Sequence, residues 1–226
     1  MTLPTRGSAR PGSRPGPAER AVPAGLPYLE VMTTQPSAPG WVLSWCAKSG
    51  TDVALRQLPR CPQPWPPMAL LDKVTTANDH MVLIDRHAPR HSGTRSVMVA
   101  LRNLDEDDDV LVAAVGAALE LGADLDIRHA VPLPFGGSSV GLAEALRRAR
   151  ELLAQAAARA TALAPRLRVS TGLYRMRAEE LVGDAVDVEL LVVGRARRWG
   201  GRHQGLVTAS AVISGRCALL LVPRQP

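Results

Sequence analysis

Three things are scarce in this 226-residue sequence: lysine, cysteine and long apolar runs. Lys48 and Lys73 are the only lysines among 27 lysine and arginine residues. With the heavy use of alanine, glycine and proline, that bias points to a GC-rich genome rather than to a partner. Cys46, Cys61 and Cys217 are odd in number and scattered, which argues against a disulfide framework and against a Cys-x-x-Cys metal or redox site. No stretch of ~18 consecutive apolar residues occurs, so no membrane-spanning helix is expected. The first twenty residues carry arginines but no apolar core, and their prolines and glycines would break an amphipathic targeting helix. The expected location is a reducing cytoplasm.

What is present is unevenly distributed. Residues 1–96 hold 14 of the 19 prolines, three of the four tryptophans and a charge of +5 (11 basic, 6 acidic). The remainder, 97–226, is nearly balanced at +1 (16 basic, 15 acidic). Residues 1–95 therefore read as a Pro/Gly/Arg-rich leader of low complexity, unable to bury enough apolar surface to offset its ordering entropy. CPQPWPP at Cys61–Pro67 interrupts any element, and only Met81–Ile84 looks strand-like. Largely disordered chain is expected before Ser96. Met68 and Met81 are alternative starts if the leader is an upstream stretch translated in error, a reading preferred to a basic arm for nucleic acid. His87 and His91 have helical ligand spacing, with His80 nearby, but Pro89 disfavours the helix and no Cys or acidic partner completes a site. They read as solvated.

After Ser96 the pattern becomes regular. Val97–Leu101, Leu125–Val131, Leu167–Leu173, Val188–Val193 and Ala218–Val222 read as strands. Between them lie helical patterns at Val110–Leu121, Leu142–Leu163, Ala178–Gly183 and Thr208–Ser214. In the first, Leu111, Val115, Ala118 and Leu119 share a face behind the acidic cluster Asp105–Asp109, and Gly122 ends it. In the second, Leu142, Leu146, Ala149, Leu153, Ala156, Ala160 and Leu163 form the buried stripe, with Arg147, Arg148, Arg150 and Arg159 outside. Strands alternating with helices imply right-handed crossovers and a doubly wound α/β domain with helices on both faces of a parallel sheet.

This order of elements, with DVELLVVGRARRWGG at Asp187–Gly201 and RCALLLVP at Arg216–Pro223, resembles the universal stress protein family over Ser96–Pro226. The resemblance implies a five-stranded parallel sheet of order 3-2-1-4-5 and a homodimer through the last strand, Ala218–Val222. An apolar edge strand left unpaired is a liability that a two-fold partner covers. It also implies a nucleotide loop, G-x2-G-x9-G-[ST], after the fourth strand and an Asp at the end of the first. Glycines there admit phosphate to the backbone and the hydroxyl adds a donor.

The match to that loop is partial. Gly194 supplies the first position, Arg197 replaces the second glycine, and Thr208, or Ser210 after a two-residue shift, supplies the hydroxyl without its glycine. Gly200 and Gly201 remain in the loop, and Arg102 stands where the Asp belongs. These seven residues are the candidate, degenerate nucleotide site. In the implied strand order Asp105–Asp109 lies near Arg195, Arg197, Arg198 and Arg202, where the carboxylates would compete with a triphosphate. Trp199 could stack on a base or pack over its own loop.

Other motifs carry less. Gly137-Ser138-Ser139-Val140-Gly141 fits G-x-S-x-G, with Asp187 and His203 following in hydrolase order. However, PLPFGG separates Ser139 from the strand, whereas a nucleophile elbow lies directly on it. Ser138 or Ser139 reads more simply as a helix cap. The loop lacks the G-K-[ST] ending of a Walker motif, and no phosphorylatable Asp follows the third strand. The expectation is a non-enzymatic universal-stress-protein-like regulator of stress adaptation. It would act by dimerisation and by association with an unidentified protein, with no cofactor, no metal and no membrane. The alternatives are an ATP- or AMP-binding stress regulator and, more distantly, a serine hydrolase.

Overall fold

A computed structural model describes residues 40–49, 53–57, 81–85, 95–132, 141–183, 188–195, 206–215 and 217–224. Ahead of Ser96 these form α1 (Gly40–Ser49), β1 (Val53–Gln57) and β2 (Met81–Asp85). From Ser96 the chain alternates regularly through β3 (Ser96–Ala100), α2 (Leu104–Leu121), β4 (Asp124–Ala130), α3 (Leu142–Leu163) and β5 (Val169–Tyr174). It continues through α4 (Ala178–Gly183), β6 (Leu190–Gly194), α5 (Leu206–Ser214) and β7 (Ala218–Val222).

Helix α2 begins six residues before the expected Val110. Asn103 caps it, its side-chain oxygen accepting the Glu106 N–H at 2.7 Å, so the acidic cluster forms the first turns, where the helix dipole favours carboxylates. Val110, Leu111, Ala114, Val115, Ala118 and Leu121 are buried. Burial is wide because α1 lies against the helix: a Cβ on Gly116 would stand 2.7 Å from Trp45 Nε1. Glycine is what allows that close approach. Leu119 is not on the buried face as expected but 54% exposed, on the outward strip it shares with Val112 two turns earlier. In α3 the stripe Ala149, Leu153, Ala156 and Ala160 is buried, but Leu163, the last helical residue, is 40% exposed. The α3 N-cap is Gly141, without a side-chain capping bond. The expected caps Ser138 and Ser139 lie outside the described residues.

The sheet has seven strands in the order β1-β2-β7-β6-β3-β4-β5. From β5 to β7 every neighbouring pair is parallel. Each strand that follows Ser96 thus lies where a 3-2-1-4-5 arrangement puts it, but the sheet neither stops at β7 nor stays parallel. Strand β2 adds antiparallel to β7, pairing Val82, Leu83 and Ile84 with Leu221, Leu220 and Leu219, and β1 adds parallel to β2.

Ahead of Ser96, β1 and β2 join the sheet and α1 joins its core. The five residues of β1 are too few to show periodicity, and the prolines of 59–67 lie between β1 and β2 rather than inside them. Against expectation, Ala218–Val222 is not an unpaired edge, since β2 covers it. Met81–Ile84 does form the strand it resembles.

Side chains alternate between two apolar layers, as period-two strands require. Val97, Val99, Leu83 and Leu220 face α1, α2 and α3 with Val42, Trp45, Leu111 and Leu153. Met98, Val82, Ile84, Leu219 and Leu221 face α4 and α5 with Leu181, Val182, Ala211 and Val212. Among the described residues no helix is long and apolar enough to cross a membrane.

Candidate functional site

Strands β3 and β6 are parallel neighbours. The chain leaves β3 into α2 on one face and leaves β6 towards α5 on the other. Their carboxyl ends therefore open a crevice of the kind in which doubly wound sheets bind ligands. In this protein a buried ion pair occupies that place.

Asp107 lies on the first turn of α2 and is fully buried. Its Oδ2 accepts the backbone N–H groups of Arg102 at 2.6 Å and Asn103 at 3.3 Å. Its Oδ1 accepts Arg224 Nε at 2.7 Å, with Nη2 also at 2.7 Å. Arg224 follows β7 by two residues and its side chain is 14% exposed. A charge removed from water persists only when paired and hydrogen-bonded, and both requirements are met. The Arg195 N–H donates to Val222 O at 2.7 Å, tying the start of the β6 loop to the end of β7. The guanidinium lies over Gly194, where a Cβ would come within 2.6 Å of Arg224 Nε.

The expected site residues fare differently. Gly194 is at the crevice, directly beneath Arg224. Arg102 reaches it by its backbone only; its side chain is 64% exposed and its guanidinium binds Glu106 at 2.7 and 2.9 Å. The Glu106 carboxyl is held below its ordinary value, first by the Asn103 side chain and further by Arg102 and Arg224. Thr208 is buried within α5. Ser210 donates its hydroxyl to Glu179 O at 2.7 Å, linking α5 to α4 rather than facing a phosphate. Arg197, Gly200 and Gly201 lie outside the described residues, as do Arg198, Trp199 and Arg202.

Among the described residues the acidic cluster also meets arginines of other elements. Asp107 takes Arg224 and Asp108 takes Arg159 of α3 at 3.1 Å. Arg224 escapes motif reading because it lies beyond the last strand. A signal for it exists all the same. Asp107 falls three and four residues before Val110 and Leu111, on the buried stripe, so a carboxylate there needs a cation from elsewhere. Ser139, Asp187 and His203 lie outside the described residues, with His80, His87 and His91. Among the described residues no cluster of His, Cys, Asp and Glu could hold a metal ion.

No protein-family profile and no curated protein matches the sequence. Solved structures do. A functionally unknown protein from Pseudomonas aeruginosa superposes with a TM-score of 0.54 at 15% identity, over 84% of this chain and 69% of that one. A universal stress protein from Archaeoglobus fulgidus superposes with a TM-score of 0.52 at 15% identity, over 81% of this chain and 65% of that one. Residues 96–226 are 131 of 226, or 58% of the sequence, so both matches extend to residues ahead of Ser96. The chain has a universal-stress-protein-like α/β fold.

Proposed function

We propose that this chain is a non-catalytic regulator of stress adaptation that acts by associating with another protein, its nucleotide site degenerate. The stress assignment rests on likeness of fold to a universal stress protein, an analogy rather than a chemical argument. The argument against nucleotide binding is chemical, and one observation carries it. Arg224 lies over Gly194 and is bound to the buried Asp107, so a phosphate approaching that backbone would first have to displace the guanidinium and leave a carboxylate unpaired. Breaking such a pair costs about 3–5 kcal/mol, a large share of the roughly 8 kcal/mol in a micromolar affinity. The described residues that bond to Asp107 are Arg102, Asn103 and Arg224, none of them a serine, cysteine or histidine nucleophile.

Titration of the full chain with fluorescent ATP tests this reading, the expectation being no saturable binding in the micromolar range. Micromolar binding that Gly194→Trp abolishes would establish the ATP- or AMP-binding alternative instead.

A further inference from the structure

The strand pairings contain a symmetry that the sequence conceals. Strand β1 meets β2 with Val53 opposite Met81, and β6 meets β7 with Leu190 opposite Ala218. Both separations are 28 positions and both pairs are parallel. Adding 137 to each residue number of the first pair yields the second. The antiparallel seam obeys the same offset: its central partners are Leu83 and Leu220, again 137 apart. An antiparallel pair centred on equivalent residues has a local two-fold axis through its middle, normal to the sheet. Burial follows suit. Leu83 and Leu220 share the α2 layer, whereas Val82 and Ile84 share the α5 layer with Leu219 and Leu221, their counterparts under the offset. A slip of one residue would have put each set on the wrong face.

We infer that the strand pair β1 and β2 is an internal copy of the pair β6 and β7, and that β2 takes on β7 the seat that β7 of a second copy of this chain would otherwise take. The relation covers the strands. Helix α1 packs on α2, in the layer opposite α4, and is not related to α4 by this axis. An isologous contact through β7 would pair Leu220 with Leu220 of the other copy, because equivalent residues meet at a two-fold axis. With Leu83 already there, the chain covers the edge of β7 itself, and β1 becomes the outer strand. This inference does not depend on the nucleotide reading above, since the Asp107–Arg224 pair does not enter it.

Cysteine cross-linking of the full chain tests it. Directly opposed residues of antiparallel strands have Cα atoms ~4.5–5.5 Å apart, within disulfide range. The variant L83C/L220C, treated with a mild thiol oxidant, is expected to run as a single 24.1 kDa chain on a non-reducing gel. Peptide mapping should then find positions 83 and 220 bonded to each other rather than to Cys46, Cys61 or Cys217. The single variant L220C is expected to give no covalent dimer. A dimer of that variant bridged through position 220 of both copies, or failure of the double variant to form the 83–220 bridge while remaining folded by circular dichroism, would overturn the inference. A third variant guards against a core too weakened by cysteine. With M81A, V82L, I84L and D85V added to the double variant, β2 carries the residues of β7 around position 83. The internal-copy reading expects the same bridge, and a bridge shifted to another register would refute it.

Discussion

The β2–β7 seam and the crevice at the end of β6 are two places where this sheet could admit a partner, and the chain fills both itself by opposite means. The seam is closed by apolar side chains, Leu83 against Leu220, with stabilisation set by buried area and packing. The crevice is closed by Asp107 and Arg224, a pair whose attraction must first offset the desolvation of both ions. An apolar closure loses stability gradually as side chains are trimmed. An ionic one is weak evidence for stability while intact, yet costly to break from one side.

The largest expected effect is at the crevice. Arg224→Met strands the fully buried Asp107 carboxylate and should cost about 3–5 kcal/mol in urea unfolding. Adding Asp107→Asn should recover about 1 kcal/mol or more, because a neutral amide tolerates the site better than a lone carboxylate. A loss below ~0.5 kcal/mol for Arg224→Met would reduce the pair to the rank of a surface contact.

At the seam, Leu83→Ala should cost about 3 kcal/mol by removing a 1% exposed side chain from packed surroundings. The same change at Leu119, 54% exposed, should cost less than ~0.5 kcal/mol. Equal losses at the two positions would mean that β2 does not cover β7 in solution.

Gly116→Ala tests whether α1, ahead of Ser96, is held on α2. Alanine improves helix propensity by about 0.8–1 kcal/mol, but its Cβ would stand 2.7 Å from the rigid Trp45 indole, and overpacking costs about 1–3 kcal/mol. A net loss near 1 kcal/mol is expected, with a red shift of tryptophan emission as the indole is displaced. A net gain would show that α1 does not rest on α2.

The smallest effect is expected from an exposed counterpart of the buried pair. Glu144 accepts hydrogen bonds from Arg147 and Arg148, which hold its carboxyl at about 2 against an ordinary 4.5. A depressed carboxylate contributes stability above its unfolded value and loses it as pH falls through its folded one. Any deficit of Glu144→Gln against the parent at pH 7 should therefore shrink below pH 4.5 and vanish near pH 2, read by thermal melts across that range. A deficit that persists at pH 2 would assign the loss to packing rather than charge.

The sequence tells most where elements are long or strictly patterned. Helix α3 and the last strand are found at the bounds their residues suggest, because a 22-residue amphipathic stripe and an unbroken ALLLV run have no competing reading. Helix α2 is misjudged at its start because the cap is an ordinary asparagine inside what reads as an acidic preface. β2 is legible as the apolar run Met81–Ile84, whereas β1 is hidden by its length and by the prolines that follow it. The repeat is hidden for a different reason: what the two halves share is spacing and register rather than residue identity, and register exists only once strands pair. For the crevice, sequence singles out Gly194 and the acidic cluster. It cannot supply Arg224, whose role depends on where the chain goes after its last strand.

The seam also orders events in time. Leu83 leaves the ribosome long before Leu220, 137 residues later, and synthesis at ~5–20 residues per second puts on the order of ten seconds or more between them. Through that interval an apolar strand waits for a partner not yet made, and β7 then joins β2 and β6 at once. Completion of this sheet is thus expected to wait for the synthesis of β7. The nascent Met81–Asp85 segment is where a holding chaperone would have most to protect.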